Sequence, residues 1–355
     1  MNRSQTTIQI GDRAVGPGHR PFVIAEMSGN HNQSLDRALA IVDAAADAGA
    51  HALKIQTYTA DTMTLDVDDD AFRISDQGSL WKGKSLHKLY DEAHTPWEWH
   101  PPIFERARQR GMLAFSTPFD ESAVDFLETL GVPCYKIASF ENTDIPLIRR
   151  VARTGKPMIV STGMALVGEL AETVEAIRGA GCEDFVLLKC TSTYPASPEY
   201  TNVVTIPHMR DLFGCQVGLS DHTMGVGVAV AAVALGATVV EKHFTLARAD
   251  GGVDSSFSLE PAEMAALVTE TERAWQGLGH VSYGVQSAQE KKSLAFRRSL
   301  YIVRDLAAGE PLTADAVRAI RPGFGLPPKH QDAVIGRRVR QAVKRGTPLT
   351  WDLLG

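Results

Sequence analysis

Two short segments of the 355-residue chain carry residue types that do chemistry. They are Ser220-Asp221-His222-Thr223 and, twenty-one residues behind it, Glu241-Lys242-His243-Phe244. Each closes a short apolar run, residues 216–219 and 237–240, and the Val/Ala-rich stretch 225–236 between them has helical length. A parallel strand–helix–strand unit sets His222 and His243 side by side on one rim of a sheet. Two imidazoles so placed, with Asp221 and Glu241 close by, suit a divalent metal. The plainer alternative is a pair of rim histidines bonded only to backbone.

The elements that must position these groups recur along the chain. Apolar strand candidates stand at 22–25, 52–55, 112–115, 134–137, 158–160, 185–188, 216–219 and 238–240. Amphipathic helices alternate with them at 35–48, 103–110, 123–130, 147–153, 168–179, 226–235 and 261–276, with a further one near 206–212. Several close on a glycine: Gly49, Gly111, Gly131 and Gly236. Eight strand–helix pairs over about 250 residues match a (β/α)8 TIM barrel. A doubly wound open sheet is the alternative, but its glycine-rich first turn is missing. Ahead of the first strand, residues 7–10 and a Gly/Pro turn leading to Pro21 read as an N-terminal hairpin.

In a barrel the C-terminal strand ends share one face, where active sites of this fold sit. Here every strand ends in polar residues: Glu26; Lys54 and Gln56; Ser116 and Thr117; Lys136 and Ser139; Ser161 and Thr162; Lys189, Thr191 and Ser192; and the two histidine segments. Lys54, Lys136 and Lys189, with the hydroxyls of Thr117, Ser161 and Ser220, compose a cradle for a phosphate or carboxylate. Glu26 is placed to act as a general acid/base or an orienting carboxylate. A metal at His222 and His243 would polarise an oxygen or activate a water. A phosphorylated carboxylate together with a metal-bound carbonyl fits such a rim.

Composition narrows the classes. The chain is 44% hydrophobic and 22% charged, with a net charge of −6, which gives no electrostatic footprint for nucleic acid or an anionic membrane. An anionic ligand must therefore be held by local cations. Cys134, Cys182, Cys190 and Cys215 lack CxxC spacing and read as buried free thiols of a reducing compartment. The N-terminus has no hydrophobic signal core, and no apolar run reaches the ~20 residues of a membrane span, so a cytoplasmic protein is expected.

Two stretches depart from the short-loop pattern. Residues 57–97 are rich in aromatic and charged side chains and read as a partly helical lid rather than a disordered loop. The barrel is expected over 1–284 and a polar linker over 285–295, followed by a small turn-rich domain over 296–355. That last domain repeats Gly309-Glu310-Pro311-Leu312-Thr313 as Gly346-Thr347-Pro348-Leu349-Thr350, with each Thr a candidate N-cap. So short a domain would gain from packing on a partner surface.

The segments IAEMSGNHN, KIQTYT, FSTPFD, YKIAS, STGMA, LLKCTSTYPA, GLSDHT, EKHFTL and RPGFGL closely resemble, in order and spacing, the motif series of the sialic acid synthase family. These are phosphoenolpyruvate-dependent synthases of nine-carbon nonulosonic acids. The match runs from about Pro21 to the C-terminus. It implies a (β/α)8 barrel followed by an antifreeze-protein-like (SAF-type) domain, in a homodimer whose small domains are exchanged to cap the partner's barrel. Within the family, NHNQSL, SLWKG, LYDEA and TPWEWH resemble the pseudaminic branch, with N-acetylneuraminate and legionaminate synthesis as the alternatives. The N-acetylneuraminate branch typically has Gly where Gln33 stands. A Trp-rich lid suits a 6-deoxy diacetamido sugar, which offers methyl and acetyl groups to apolar surface.

The implied reaction joins phosphoenolpyruvate to an open-chain amino-sugar aldose, 2,4-diacetamido-2,4,6-trideoxy-L-altrose, with water entering and phosphate leaving. By motif match, His222 and His243 bind Mn²⁺, or Mg²⁺ or Co²⁺ in its place. Lys54, Thr117, Lys136, Ser139, Ser161 and Ser220 hold phosphoenolpyruvate, and Glu26 sits beside the reacting carbons. Gln56, Tyr194, Asp254 and the partner subunit's Arg321 contact the sugar. At Ser192, the position of an expected phosphate contact, the chain reads CTS where the family often reads CTN. Asp221 and Glu241 are expected to orient rather than ligate, because a catalytic metal needs open positions. A non-catalytic carbohydrate- or ice-binding protein would leave the rim lysines and Glu26 unexplained, and a metal-dependent barrel aldolase or hydrolase would not need phosphoenolpyruvate.

Overall fold

The computed structural model describes residues 7–75 and 81–355, so Ser79 and Leu80 of the SLWKG motif lie outside the described residues. Its contacts divide the chain after Gly279.

In the first unit β1 (Ile8–Ile10) and β2 (Arg13–Val15) form a hairpin. Eight strands then close a parallel barrel: β3 (Phe22–Glu26), β4 (Ala52–Thr57), β5 (Leu113–Pro118), β6 (Tyr135–Ile137), β7 (Met158–Ser161), β8 (Phe185–Cys190), β9 (Gln216–Ser220) and β10 (Val239–His243), with β10 pairing back onto β3. The helices between them are α1 (Leu35–Asp47), α2 (Ala60–Met63), α3 (Leu86–Ala93), α4 (His100–Gln109), α5 (Glu121–Leu130), α6 (Ile145–Ala152), α7 (Val167–Gly179), α8 (Thr205–Phe213) and α9 (Gly227–Ala234), with α10 (Pro261–Leu278) after β10. The strands are buried along nearly their whole length because side chains fill the lumen on one face and helices cover the other. Local chemistry starts the helices: Ser34, Asp120 and Asp144 each accept a backbone N–H of the first turn.

Several details differ from the sequence reading. The hairpin turns at Gly11-Asp12 and closes on β2, not on Pro21, which leads into the barrel. The strand expected at 112–115 runs on to Pro118, because register with β4 carries Ser116 and Thr117 into the ladder opposite Ile55 and Gln56. The long loop holds α2 and α3, as a partly helical lid should.

The second unit, His280–Gly355, carries the antiparallel pair β11 (Ser299–Ile302) and β12 (Val317–Ile320). Its core includes Leu300, Ile302, Leu312, Val339 and Leu349. Leu306 and Val343, each three residues before a repeat glycine, exchange backbone hydrogen bonds at 2.9 and 3.0 Å, and the repeat leucines Leu312 and Leu349 are both fully buried. The expected threonine caps do not form. Thr313 Oγ1 accepts from Arg304 at 3.2 Å, and Thr350 makes no side-chain cap bond.

Candidate active site

Residues paired across parallel strands point to the same face, which settles who shares the lumen. Glu26 pairs with Lys54 and with His243, Glu241 with Ser220, Ser220 with Cys190, and Gln56 with Thr117. Lys189 pairs with Leu219, one residue out of phase, so it faces away from the lumen. Its Nζ donates instead to the Cys190 carbonyl at 2.9 Å. Two lysines, not three, belong to the cradle, and the thiol of Cys190 takes the place assigned to the third.

Charge is concentrated at the bottom of the mouth. Lys54 Nζ lies 2.7 Å from Glu26 Oε2, 3.8 Å from Glu241 Oε1 and 3.3 Å from Thr117 Oγ1. Lys136 Nζ lies 3.8 Å from the same Glu241 oxygen and donates to Ser161 Oγ at 2.7 Å. Glu26 Oε1 accepts from Gln56 at 3.0 Å, and Ser220 Oγ reaches Glu241 Oε1 at 3.5 Å. Burial, helped by the charge of Glu241, pushes Glu26 above the usual carboxylate range despite Lys54. Burial pushes Glu241 the same way, but Lys136 and Lys54 outweigh it and hold Glu241 low. Burial pulls Lys136 down, whereas for Lys54 the two carboxylates outweigh burial and raise it. Of the two carboxylates Glu26 is therefore the one that takes up a proton more readily, and Lys54 and Lys136 are left facing an incoming anion.

Hydroxyls extend the cradle. Ser139 Oγ accepts from Gly163 N at 3.1 Å. A Cβ on Gly163 would lie 2.1 Å from Ser192 Oγ and 2.6 Å from Ser139 Oγ, so only glycine lets these serines from two strand ends meet. Ser192 thus shares the rim with Ser139 and lies 3.7 Å from Cys190 Sγ.

The histidine pair stands with ring centroids 5.4 Å apart. His222 Nδ1 is 2.9 Å from the Thr191 carbonyl and only loosely placed, at 3.9 Å, against Cys190 Sγ. The shorter contact assigns the N–H to Nδ1 and leaves Nε2 with its lone pair. His243 Nδ1 is buried without a hydrogen-bond partner, and burial holds this imidazole well below its ordinary range, hence neutral. The Thr191 carbonyl leaves His222 Nε2 facing the site, although against burial the neighbouring Cys190 thiol holds this imidazole above its ordinary range, and with the neutral His243 it offers the imidazole nitrogens a divalent ion requires. Among the described residues no cluster of three or more His, Cys, Asp or Glu groups adds to them.

Asp221 and Lys242 are not part of this set. Their ion pair, 2.8 Å long, is buried in the barrel wall, and Lys242 Nζ also donates to the Thr223 carbonyl at 2.6 Å while Asp221 Oδ1 accepts from Thr223 N at 2.9 Å. This network shapes the turn that carries His222. Glu241, by contrast, sits in the lumen between the two lysines, and its Oε2 is orphaned.

Above the histidines is an aromatic wall. Tyr194 lies 4.5 Å from His222 and 5.2 Å from Phe257, and Phe257 lies 5.0 Å from His243 (ring centroids). Trp81 of the lid leans on Tyr194 at 6.2 Å and donates its indole N–H to the Val253 carbonyl at 3.1 Å. Asp254 Oδ2 is 3.7 Å from His243 Nδ1 and accepts a short hydrogen bond from Ser28. Arg321 belongs to the second unit and is exposed there.

Sequence reasoning missed Ser28, Cys190, Phe257 and Glu141. Glu141 follows β6 in the turn begun by Ser139; burial lifts its carboxyl to about 7, against the pull of Lys136, and its Oε2 has no partner. Cys190 reaches the lumen through its register with Ser220, which the uniformly apolar run of β8 does not reveal. The others are set by loop conformation, which residue spacing does not encode.

A NeuB family model matches residues 41–283 and a SAF domain model matches residues 297–355. The chain is 44% identical over 344 residues to the pseudaminic acid synthase of Campylobacter jejuni subsp. jejuni serotype O:2, covering 96% of this chain and 98% of that protein. To the N,N'-diacetyllegionaminic acid synthase of Legionella pneumophila subsp. pneumophila it is 34% identical over 335 residues, 93% of this chain and 94% of the other. Among solved structures, the N-acetylneuraminic acid (sialic acid) synthetase of Leptospira borgpetersenii serovar Hardjo-bovis superposes with a TM-score of 0.72 at 32% identity, covering 81% of this chain and 95% of that one.

Proposed function

The chain belongs to the NeuB family, and on that premise we propose that it condenses phosphoenolpyruvate with a 2,4-diacetamido-2,4,6-trideoxy aldose to form pseudaminic acid. The higher identity to a pseudaminic than to a legionaminic acid synthase carries the choice of sugar. The buried Glu26–Lys54–Glu241–Lys136 cluster beside the paired imidazoles carries the chemistry.

In this reading Lys54, Lys136, Thr117, Ser139, Ser161, Ser192 and Ser220 receive the phosphate and carboxylate of phosphoenolpyruvate, as point charges and directed donors. Gln56, Tyr194, Asp254 and the partner subunit's Arg321 hold the sugar. A divalent ion, Mn²⁺ or Mg²⁺ or Co²⁺, would be held by His222 and His243 and would supply Lewis acidity to the sugar aldehyde. Carbon 3 of phosphoenolpyruvate attacks the aldehyde carbon, whose oxygen becomes a hydroxyl by gaining a proton. Water adds to carbon 2, losing a proton, and the C–O bond to phosphate then breaks. Glu26, whose carboxyl carries a proton more readily than its neighbours, is the group beside these carbons that can give or take one. Buried donors already aimed at the anion need not reorganise as charge moves, which is where most of the rate enhancement would arise.

A second copy of the chain completes the reading. Phe140 after β6, Leu166 after β7 and Val204 after β8 form an exposed apolar arc on the mouth side of the barrel, each more than 60% exposed. Such an arc is a surface for association, and the partner's small domain is its proposed cover. No helix among the described residues is long and apolar enough to cross a membrane.

The deciding experiment is phosphate release from phosphoenolpyruvate across candidate sugars. Fastest turnover is expected with the 6-deoxy diacetamido altrose. Faster turnover with N-acetylmannosamine, or with the legionaminate precursor, would overturn the choice of sugar.

A further inference from the structure

Ser28 is buried in the turn after β3 with φ of +46°, a left-handed conformation that a non-glycine residue adopts only under strain. Its Oγ–H donates a short hydrogen bond to Asp254 Oδ2, 226 residues away in the turn after β10. That same carboxylate oxygen lies 3.7 Å from His243 Nδ1, which has no hydrogen-bond partner of its own. No hydrogen bond to Asp254 Oδ1 forms among the described residues, so the carboxylate is held by one oxygen and free at the other. The neighbours of this clasp, Gly29 and Val253, line an open cavity of about 510 Å³ together with Trp81, Lys84 and Asn32. The clasp therefore meets His243 through Asp254, and its chain neighbours line a cavity shared with residues of the lid.

From this geometry we propose that Ser28 is a positioning residue, which ties Asp254 to the β3 turn and aims its free oxygen at the sugar. The left-handed backbone and the contact with Asp254 coincide at this one residue. The inference rests on the proposed reaction for the identity of the ligand, whereas the Ser28–Asp254 clasp is independent of it.

Ser28→Gly separates position from stability, since glycine suits a positive φ but has no hydroxyl. Loss of a hydrogen bond to a charged group should raise KM for the sugar about tenfold while KM for phosphoenolpyruvate stays put. The melting temperature should not fall below that of Ser28→Ala, which keeps the strain and loses the same bond. In an Asp254→Ala background, which removes the acceptor, Ser28→Gly should add little. Equal shifts in both KM values, additive effects in the double variant, or an unchanged sugar KM would overturn the proposal. If the wild type releases no phosphate with any sugar, the reaction fails as a reading, but the clasp is still read from melting temperatures of the wild type, Ser28→Ala, Asp254→Ala and the double variant. Zero coupling there would overturn it independently.

Discussion

Lys54 Nζ lies 2.7 Å from Glu26 Oε2, on neighbouring strands at paired positions, and neither side chain is more than 4% exposed. A buried ion pair of this kind is a poor source of stability but a ready receptor, because an incoming anion can replace one partner without desolvating a new cation. Lys54→Met should therefore cost on the order of 10²-fold in kcat/KM for phosphoenolpyruvate. Glu26→Gln keeps the shape and removes the titrating proton, so its loss should fall mainly in kcat. Steady-state kinetics with each substrate varied would distinguish the two; an unchanged KM for phosphoenolpyruvate in Lys54→Met would argue against the cradle.

His222→Ala and His243→Ala should each abolish turnover and leave the melting temperature within a few degrees, since neither ring holds the core together. Prolonged EDTA treatment should inactivate the enzyme, and added Mn²⁺ should restore it. Full activity in metal-free protein would refute the role given to the histidines.

Asp221 and Lys242 form the second buried pair, and they hold the turn beneath His222. Removing one partner strands a buried charge and should cost about 3–5 kcal/mol. Replacing both by apolar residues, Asp221→Leu with Lys242→Met, should cost far less in stability and still impair activity by loosening His222. Denaturant titration of the three variants tests the first point, and kinetics the second.

Glu141 predicts a pH effect. Its folded carboxyl titrates near 7, above the ordinary value of 4.5, so the folded state prefers the protonated form. The stability this contributes is complete below about 4.5 and is lost as pH rises through 7. Melting temperature should therefore fall across that window, and Glu141→Gln should flatten the decline. A variant that melts with the wild-type slope would exclude this carboxyl as its source.

The proposal of an exchanged dimer makes its own prediction. Arg321→Ala should lower activity, and so should a barrel-dead His243→Ala. Mixing the two after subunit exchange should restore about a quarter to a half of wild-type turnover if each small domain caps the partner's barrel. Mixtures no better than their components would point to capping within one chain or to no capping.

The count of eight alternating strand–helix pairs was enough to choose a barrel, and in a barrel the polar residues that end each apolar run share one face for chemistry. Glu26, Lys54, Lys136, Ser161, Ser220 and His243 were legible for the same reason: a parallel strand fixes the face of a side chain by a period of two. Lys189 shows the limit. Its place near a strand end suggests the cradle, but pairing with Leu219 turns it outward and presents Cys190 instead. Register is a property of two strands, so no single strand's sequence contains it. Likewise Ser28 meets Asp254 across 226 residues and Ser139 meets Ser192 over Gly163, contacts set by loop paths and by close approach of backbone. By itself the sequence determined the fold class and the kind of chemistry, since both follow from residue types and spacing. Only the tertiary structure decided which carboxylates face lysines in the lumen and which are buried as wall, because burial and distance are what move protons between them.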